Sequence, residues 1–134
     1  MDFILKNENS FIKFENVKFY DDSQDFEFSV NAKHNCFVID NKTVWVNKNE
    51  WIIFCKKLQE CLKNLQGEAE SEFEYDEEIK LKLLFNNNGH VCIKCDIYEH
   101  GEYESICHIE FETDQTFINE ALKGIEKISD DIKI

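Results

Sequence analysis

Asn47-Lys48-Asn49-Glu50-Trp51-Ile52-Ile53-Phe54-Cys55-Lys56-Lys57-Leu58-Gln59-Glu60-Cys61-Leu62-Lys63-Asn64-Leu65-Gln66-Gly67 is the stretch on which the fold class turns. Trp51, Phe54, Cys55, Leu58, Cys61, Leu62 and Leu65 recur at helical spacing and make one apolar stripe. Asn47 can cap the helix by accepting backbone N–H bonds, and Glu50, three residues on, can complete a capping box. Gly67 supplies a left-handed residue to end it. Cys55 and Cys61 lie on the stripe, which assigns them to core packing.

Outward from this helix, both flanks read as strands. Upstream, Phe11 to Tyr20 is rich in β-formers, and residues 25–33 put Phe26, Phe28, Val30 and Ala32 on one face. Cys36 to Ile39 and Thr43 to Val46 flank Asp40-Asn41-Lys42, which has the composition of a hairpin turn. Downstream, Glu68 to Tyr75 has Glu at every even position, with Ala69, Phe73 and Tyr75 facing the other way. Residues 79–85, 91–97 and 103–111 alternate in the same manner: Ile79, Leu81, Leu83 and Phe85; Val91, Ile93, Cys95 and Ile97; Tyr103, Cys107, Ile109 and Phe111. The expected turns are 76–78, 86–89 and 99–101, with Gly89 as a turn residue. A last helix spans about Gln115 to Ile128, with Asp114 as its cap, and buries Phe117, Ala121, Leu122, Ile125 and Ile128.

The order is strands, helix, strands, helix. Short turns imply antiparallel meanders, so the expected fold is α+β, two meander runs each followed by one helix, the helices packed on the sheet. With no proline and four glycines, no linker divides the chain, and residues 1–134 are expected to form one domain. A three-residue turn at 76–78 would place Tyr75 opposite Ile79, Glu74 opposite Lys80 and Glu72 opposite Lys82. That register leaves Glu102, Glu104, Glu110 and Glu112 on the last strand without lysine partners.

Charge narrows the function. The formal net charge is −13, and all fifteen basic residues are lysine. Residues 1–66 hold 9 Lys and 10 acids, whereas residues 67–134 hold 6 Lys and 18 acids. An acidic half repels nucleic acid and anionic membrane and draws in a basic partner. Acidity also serves solubility, but solubility does not predict so uneven a distribution. No apolar run is long enough to span a membrane, and the start of the sequence lacks a secretory signal, so a cytosolic location and six reduced thiols are expected.

Sites for chemistry are sparse. Cys92-Ile93-Lys94-Cys95 has CxxC spacing, but positions three apart in a strand face opposite ways, and no second CxxC exists. His90, Cys92 and His108 are expected on one outer face, where they could hold zinc with Glu110 as a fourth ligand, or where Cys92 and His108 could act as a nucleophile pair. There is no phosphate-binding loop, no dinucleotide glycine pattern and no basic aromatic patch. The expectation is a binding protein without a catalytic residue or cofactor.

Three short motifs carry a resemblance: Leu65-Gln66-Gly67-Glu68-Ala69, then Asn88-Gly89-His90-Val91, then Glu112-Thr113-Asp114-Gln115-Thr116. In this order and spacing the sequence resembles the WapI-type family of bacterial immunity proteins, over roughly residues 11–128. The resemblance implies a small cytosolic protein that binds and neutralises a toxin domain from a contact-dependent or polymorphic toxin system, often a nuclease. The expected partner is thus a toxin domain with a basic surface, met by Glu102, Glu104, Glu110 and Glu112 together with Glu68 and Glu70. Two competitors stand beside it: an acidic nucleic-acid mimic that inhibits another protein, and a zinc- or thiol-dependent enzyme using Cys92, His90 and His108.

Overall fold

A computed structural model describes residues 2–72, 79–86 and 88–132. It contains two four-stranded antiparallel sheets, each followed by a helix. The first sheet is β1 (Phe3–Lys6), β2 (Ser10–Phe19), β3 (Asp25–His34) and β4 (Phe37–Asn47), in that spatial order, and α1 (Lys48–Asn64) follows it. The second is β5 (Gly67–Glu72), β6 (Ile79–Phe85), β7 (His90–Glu99) and β8 (Ser105–Asp114), also in sequential order, and α2 (Gln115–Ile132) follows. The α+β meander–helix arrangement is therefore as the hydrophobic alternation predicts.

The alternation works because one face of each sheet is buried. Phe26, Phe28, Val30 and Ala32 of β3 all point inward, as do Val91, Ile93, Cys95 and Ile97 of β7. The helices pack against each other, α1 also against β5 and α2 against β1, so that side chains from both halves join one hydrophobic cluster. Trp51 is the hub: its ring meets Phe3, Phe26, Phe28 and Phe54, and its indole N–H donates to the Ile125 carbonyl at 3.4 Å. One side chain thereby ties α1 to the first sheet and to α2. Burying such an aromatic contributes on the order of 1.5–3 kcal/mol from area alone.

Polar contacts join the sheets elsewhere. The Thr113 hydroxyl donates to the Lys6 carbonyl at 2.6 Å, and the Asn7 side-chain amide donates to the Glu112 carbonyl at 2.9 Å. Lys42 and Glu99 form an ion pair at 3.1 Å between β4 and the end of β7.

Several expectations are corrected. β1 is a strand that the start of the sequence does not advertise, being four residues long with Phe3 and Leu5 inward. Asp40-Asn41-Lys42 is no hairpin turn but lies inside β4, where the pairing with β3 slips by one residue. Asn41 takes a left-handed φ of 56°, and its N–H is held by the Asn31 side-chain oxygen at 2.7 Å, so turn chemistry is spent on a bulge. The chain reverses instead at Asn35-Cys36, with Asn35 at φ 57°. Leu65, not Gly67, is the left-handed residue that closes α1, at φ 54°. Gly67 has its own positive φ of 104° where β5 begins.

The β5–β6 register also differs. Glu72 stands opposite Lys80 and Glu70 opposite Lys82. The expected pairings of Tyr75 and Glu74, the inward facing of Phe73 and the turn at 76–78 lie outside the described residues. Parity fixes register only to a multiple of two, so an inferred turn length cannot settle it. In the observed register buried Ser71 faces Leu81; its hydroxyl accepts the Leu81 N–H at 3.2 Å and lies 3.3 Å from the Leu81 carbonyl. On α2 the inward residue is Ile118, with Phe117 half-buried under the Lys6 ammonium, and the helix runs on to Ile132.

Candidate partner-binding surface

The outer face of the second sheet is built from side chains that alternate with the buried set. Its cross-strand rows follow from the register. Glu68, Leu84, Cys92 and Glu112 make one row; Glu70, Lys82, Lys94 and Glu110 the next; Lys80, Asp96 and His108 a third. Opposite charges on neighbouring strands meet across these rows, which is how a sheet face tolerates so many carboxylates. Lys82 reaches Glu68 at 3.3 Å, and Lys94 reaches Glu110 at 3.8 Å.

Glu110 is the most engaged of these acids. Besides Lys94, it meets His108 Nε2 at 3.2 Å and accepts from the Cys92 thiol at 3.7 Å. His108 Nδ1 contacts the Asp96 carboxylate on its other side. The hydrogen bond to Asp96, then that to Glu110, raises the His108 pKa, and the bond to His108 foremost lowers that of Glu110. The expectation that Glu110 lacks a cationic neighbour is thus wrong, because Lys94 lies beside it on the outer face of β7.

Glu102 and Glu104 are not on β8. Pairing with β7 ends at Glu99 and Ser105, so both precede the strand, as does Tyr103. Glu104 lies 3.7 Å from His100. The four-glutamate stripe therefore splits in two: Glu110 and Glu112 on the sheet face, Glu102 and Glu104 on the β7–β8 connection. The misplacement arose because Tyr103 continues the apolar parity of β8 although it is exposed.

The zinc and nucleophile readings are tested by the same register. Cys92 stands opposite Glu112 and His108 opposite Asp96, with the Lys94–Glu110 row between them, while His90 stands opposite Asp114. Cys92 and His108 are therefore not partners. Among the described residues no group of three or more His, Cys, Asp or Glu side chains is arranged to hold a metal ion. Burial, then the neighbouring Glu110, pushes the Cys92 thiol up, away from a reactive thiolate. All six cysteines are free, with Cys55, Cys61 and Cys95 buried.

At the end of α1 Leu65 takes the place expected for Gly67. Asn47 accepts from the N–H groups of Asn49 and Glu50 at 3.0 and 3.2 Å. Asp114 accepts from those of Thr116 and Phe117 at 2.9 and 3.2 Å. Gly89, at φ 79°, bends the chain into β7 and receives the Gln115 N–H on its carbonyl. The motif residues Gly89 and Asp114 thus meet at one junction of β7, β8 and α2.

One feature of the surface escapes the alternation pattern. A groove of about 560 Å³ runs between β4 and the β7–β8 end, lined by Val38, Ile39, Ile97, Ile106 and Cys107 among others. Val38 and Ile106 are 66% and 63% exposed. The available signal was an isoleucine at the polar parity of β8, a place where burial gives no reason for one.

A family model for the Immunity protein WapI-like family matches residues 3–132. The chain belongs to this family. No curated protein matches it. In this WapI-like protein the motif residues shape turns and helix starts, while the acidic and apolar surface features lie outside them. No helix among the described residues is long and apolar enough to cross a membrane.

Proposed function

We propose that this WapI-like protein is a cytoplasmic immunity protein that neutralises a cognate bacterial toxin domain by stoichiometric binding, without chemistry of its own. The observation that carries the reading is the family match over residues 3–132. Charge supplies the partner's character. The excess of acid in residues 67–134 favours a basic toxin surface, as on a nuclease domain that must hold phosphates.

Two acidic regions meet that partner. Glu68, Glu70, Glu110 and Glu112 stand on the outer face of the second sheet, and Glu102 and Glu104 on the β7–β8 connection. Carboxylates already bridged, such as Glu68 and Glu110, must exchange lysine or histidine partners for those of the toxin. Their contribution therefore lies more in steering and orientation than in affinity. The exposed Glu102 is free of that exchange among the described residues.

The test is to purify the protein with the toxin domain encoded beside its gene in the native host. Light scattering on a size-exclusion column should find a one-to-one complex, and its association rate should fall steeply as salt rises. Absence of a complex, or association indifferent to salt, would contradict the reading.

A further inference from the structure

We propose that the groove between β4 and the β7–β8 end is the principal docking site of this protein, and that it takes an apolar side chain of the partner flanked by lysine or arginine. The inference rests on the toxin-binding reading and adds where the partner sits and what it presents.

Exposed apolar residues lie in the groove lining or in the segments that carry it. Val38 and Ile106 line it; Phe37 adjoins Val38, and Tyr103 lies in the connection between the lining residues Glu99 and Ser105. Phe37 and Tyr103 are 59% and 81% exposed. None of the four is in the hydrophobic core, so folding does not account for their being apolar. Aromatic and aliphatic anchors in a concavity, ringed by polar groups, are the usual make-up of a binding hot spot.

The rim decides the partner's charge. Asp40 and Glu99 line the groove, and Glu102 and Glu104 stand on the connection beside it. The cation in the lining, Lys42, is 18% exposed and spends its charge on Glu99. A partner arriving here therefore meets apolar surface within an acidic border, which matches an apolar anchor between basic side chains and disfavours nucleic acid itself.

The groove is also held in shape before binding. The Asn41 bulge, fixed by Asn31, sets the course of β4 along one wall, and the Lys42–Glu99 pair spans to the other. A preformed site loses less entropy on binding. The groove is poorly suited to chemistry: burial, then Asp96, raises the Cys107 thiol pKa, and the lining lysine and glutamate satisfy each other.

The experiment compares variants against the toxin domain encoded beside the gene. Val38→Ala with Ile106→Ala removes the anchors at exposed positions and should weaken binding by about tenfold or more, mainly through faster dissociation. Glu102→Gln with Glu104→Gln should slow association at low salt and leave dissociation unchanged. Ile53→Ala, which trims an equally exposed isoleucine on α1, should bind as the wild type does. If wild type binds but the alanine pair stays within about twofold of it, the groove is not the docking site and the toxin-binding reading stands. If wild type itself forms no complex, both fall. Circular dichroism and melting of each variant separate lost contact from lost fold.

Discussion

His108 stands between Asp96 and Glu110 on an exposed sheet face, and its chemistry follows from those neighbours. Both carboxylates favour the imidazolium, so its folded-state pKa lies above the ordinary 6.5. The stability this gives is fully present below pH 6.5 and is lost as pH rises through the raised folded value. Glu110 works in the opposite window: its contribution is present above its ordinary 4.5 and is lost as pH falls through its lowered folded value. An NMR titration should place the His108 ring above 6.5, and Asp96→Asn should bring it down. A midpoint unmoved by Asp96→Asn would show that Asp96 is not the main cause. Individual residues were legible where one side chain completes a local task. Asn47, Gly89 and Asp114 could be named from the chain because a cap or a turn needs only its own neighbours. Leu65 could not, since a leucine in left-handed backbone costs roughly 1–2 kcal/mol and is adopted only where surrounding structure enforces it.

At the level of elements, apolar periodicity located β3, β6, β7, most of β8 and both helices, because each buries one face. It missed β1, four residues being too short for a period to declare itself. It read the β4 bulge as a turn because asparagine serves either, and the side chain that decides between them, Asn31, sits on another strand. It also could not see how α2 meets β1. Gly124 lies so close to the start of β1 that an added Cβ would fall 2.1 Å from the Asp2 carbonyl oxygen and 2.8 Å from Phe3 Cβ. Gly124→Ala should therefore destabilise the protein by about 1–3 kcal/mol through overpacking, even though alanine is the better helix former. Urea unfolding measures this; equal or greater stability in the alanine variant would show that α2 and β1 separate without loss. The contact matters beyond itself, since β1 also presents Phe3 to Trp51 and the Lys6 carbonyl to Thr113.

Across the whole molecule, charge was the most legible property and the groove beside β4 the least. The acidity of residues 67–134 is visible as a count. Where that charge concentrates is not, because the sheet face pairs part of it with Lys82 and Lys94 while the β7–β8 connection lies against the groove. That groove arises where β4, an edge of one sheet, comes beside β8, an edge of the other, a juxtaposition no single element encodes. The central claim is that the protein acts by occupying its partner one for one. The direct measurement is a titration of a fixed amount of toxin domain, well above its dissociation constant, with this protein, followed by residual toxin activity. Activity should fall linearly and reach its floor at molar equivalence, and active toxin should be recovered when the complex is denatured and the toxin refolded alone. Complete inactivation by a small fraction of an equivalent, or toxin that stays inactive after separation, would mean turnover or covalent change and would contradict the account.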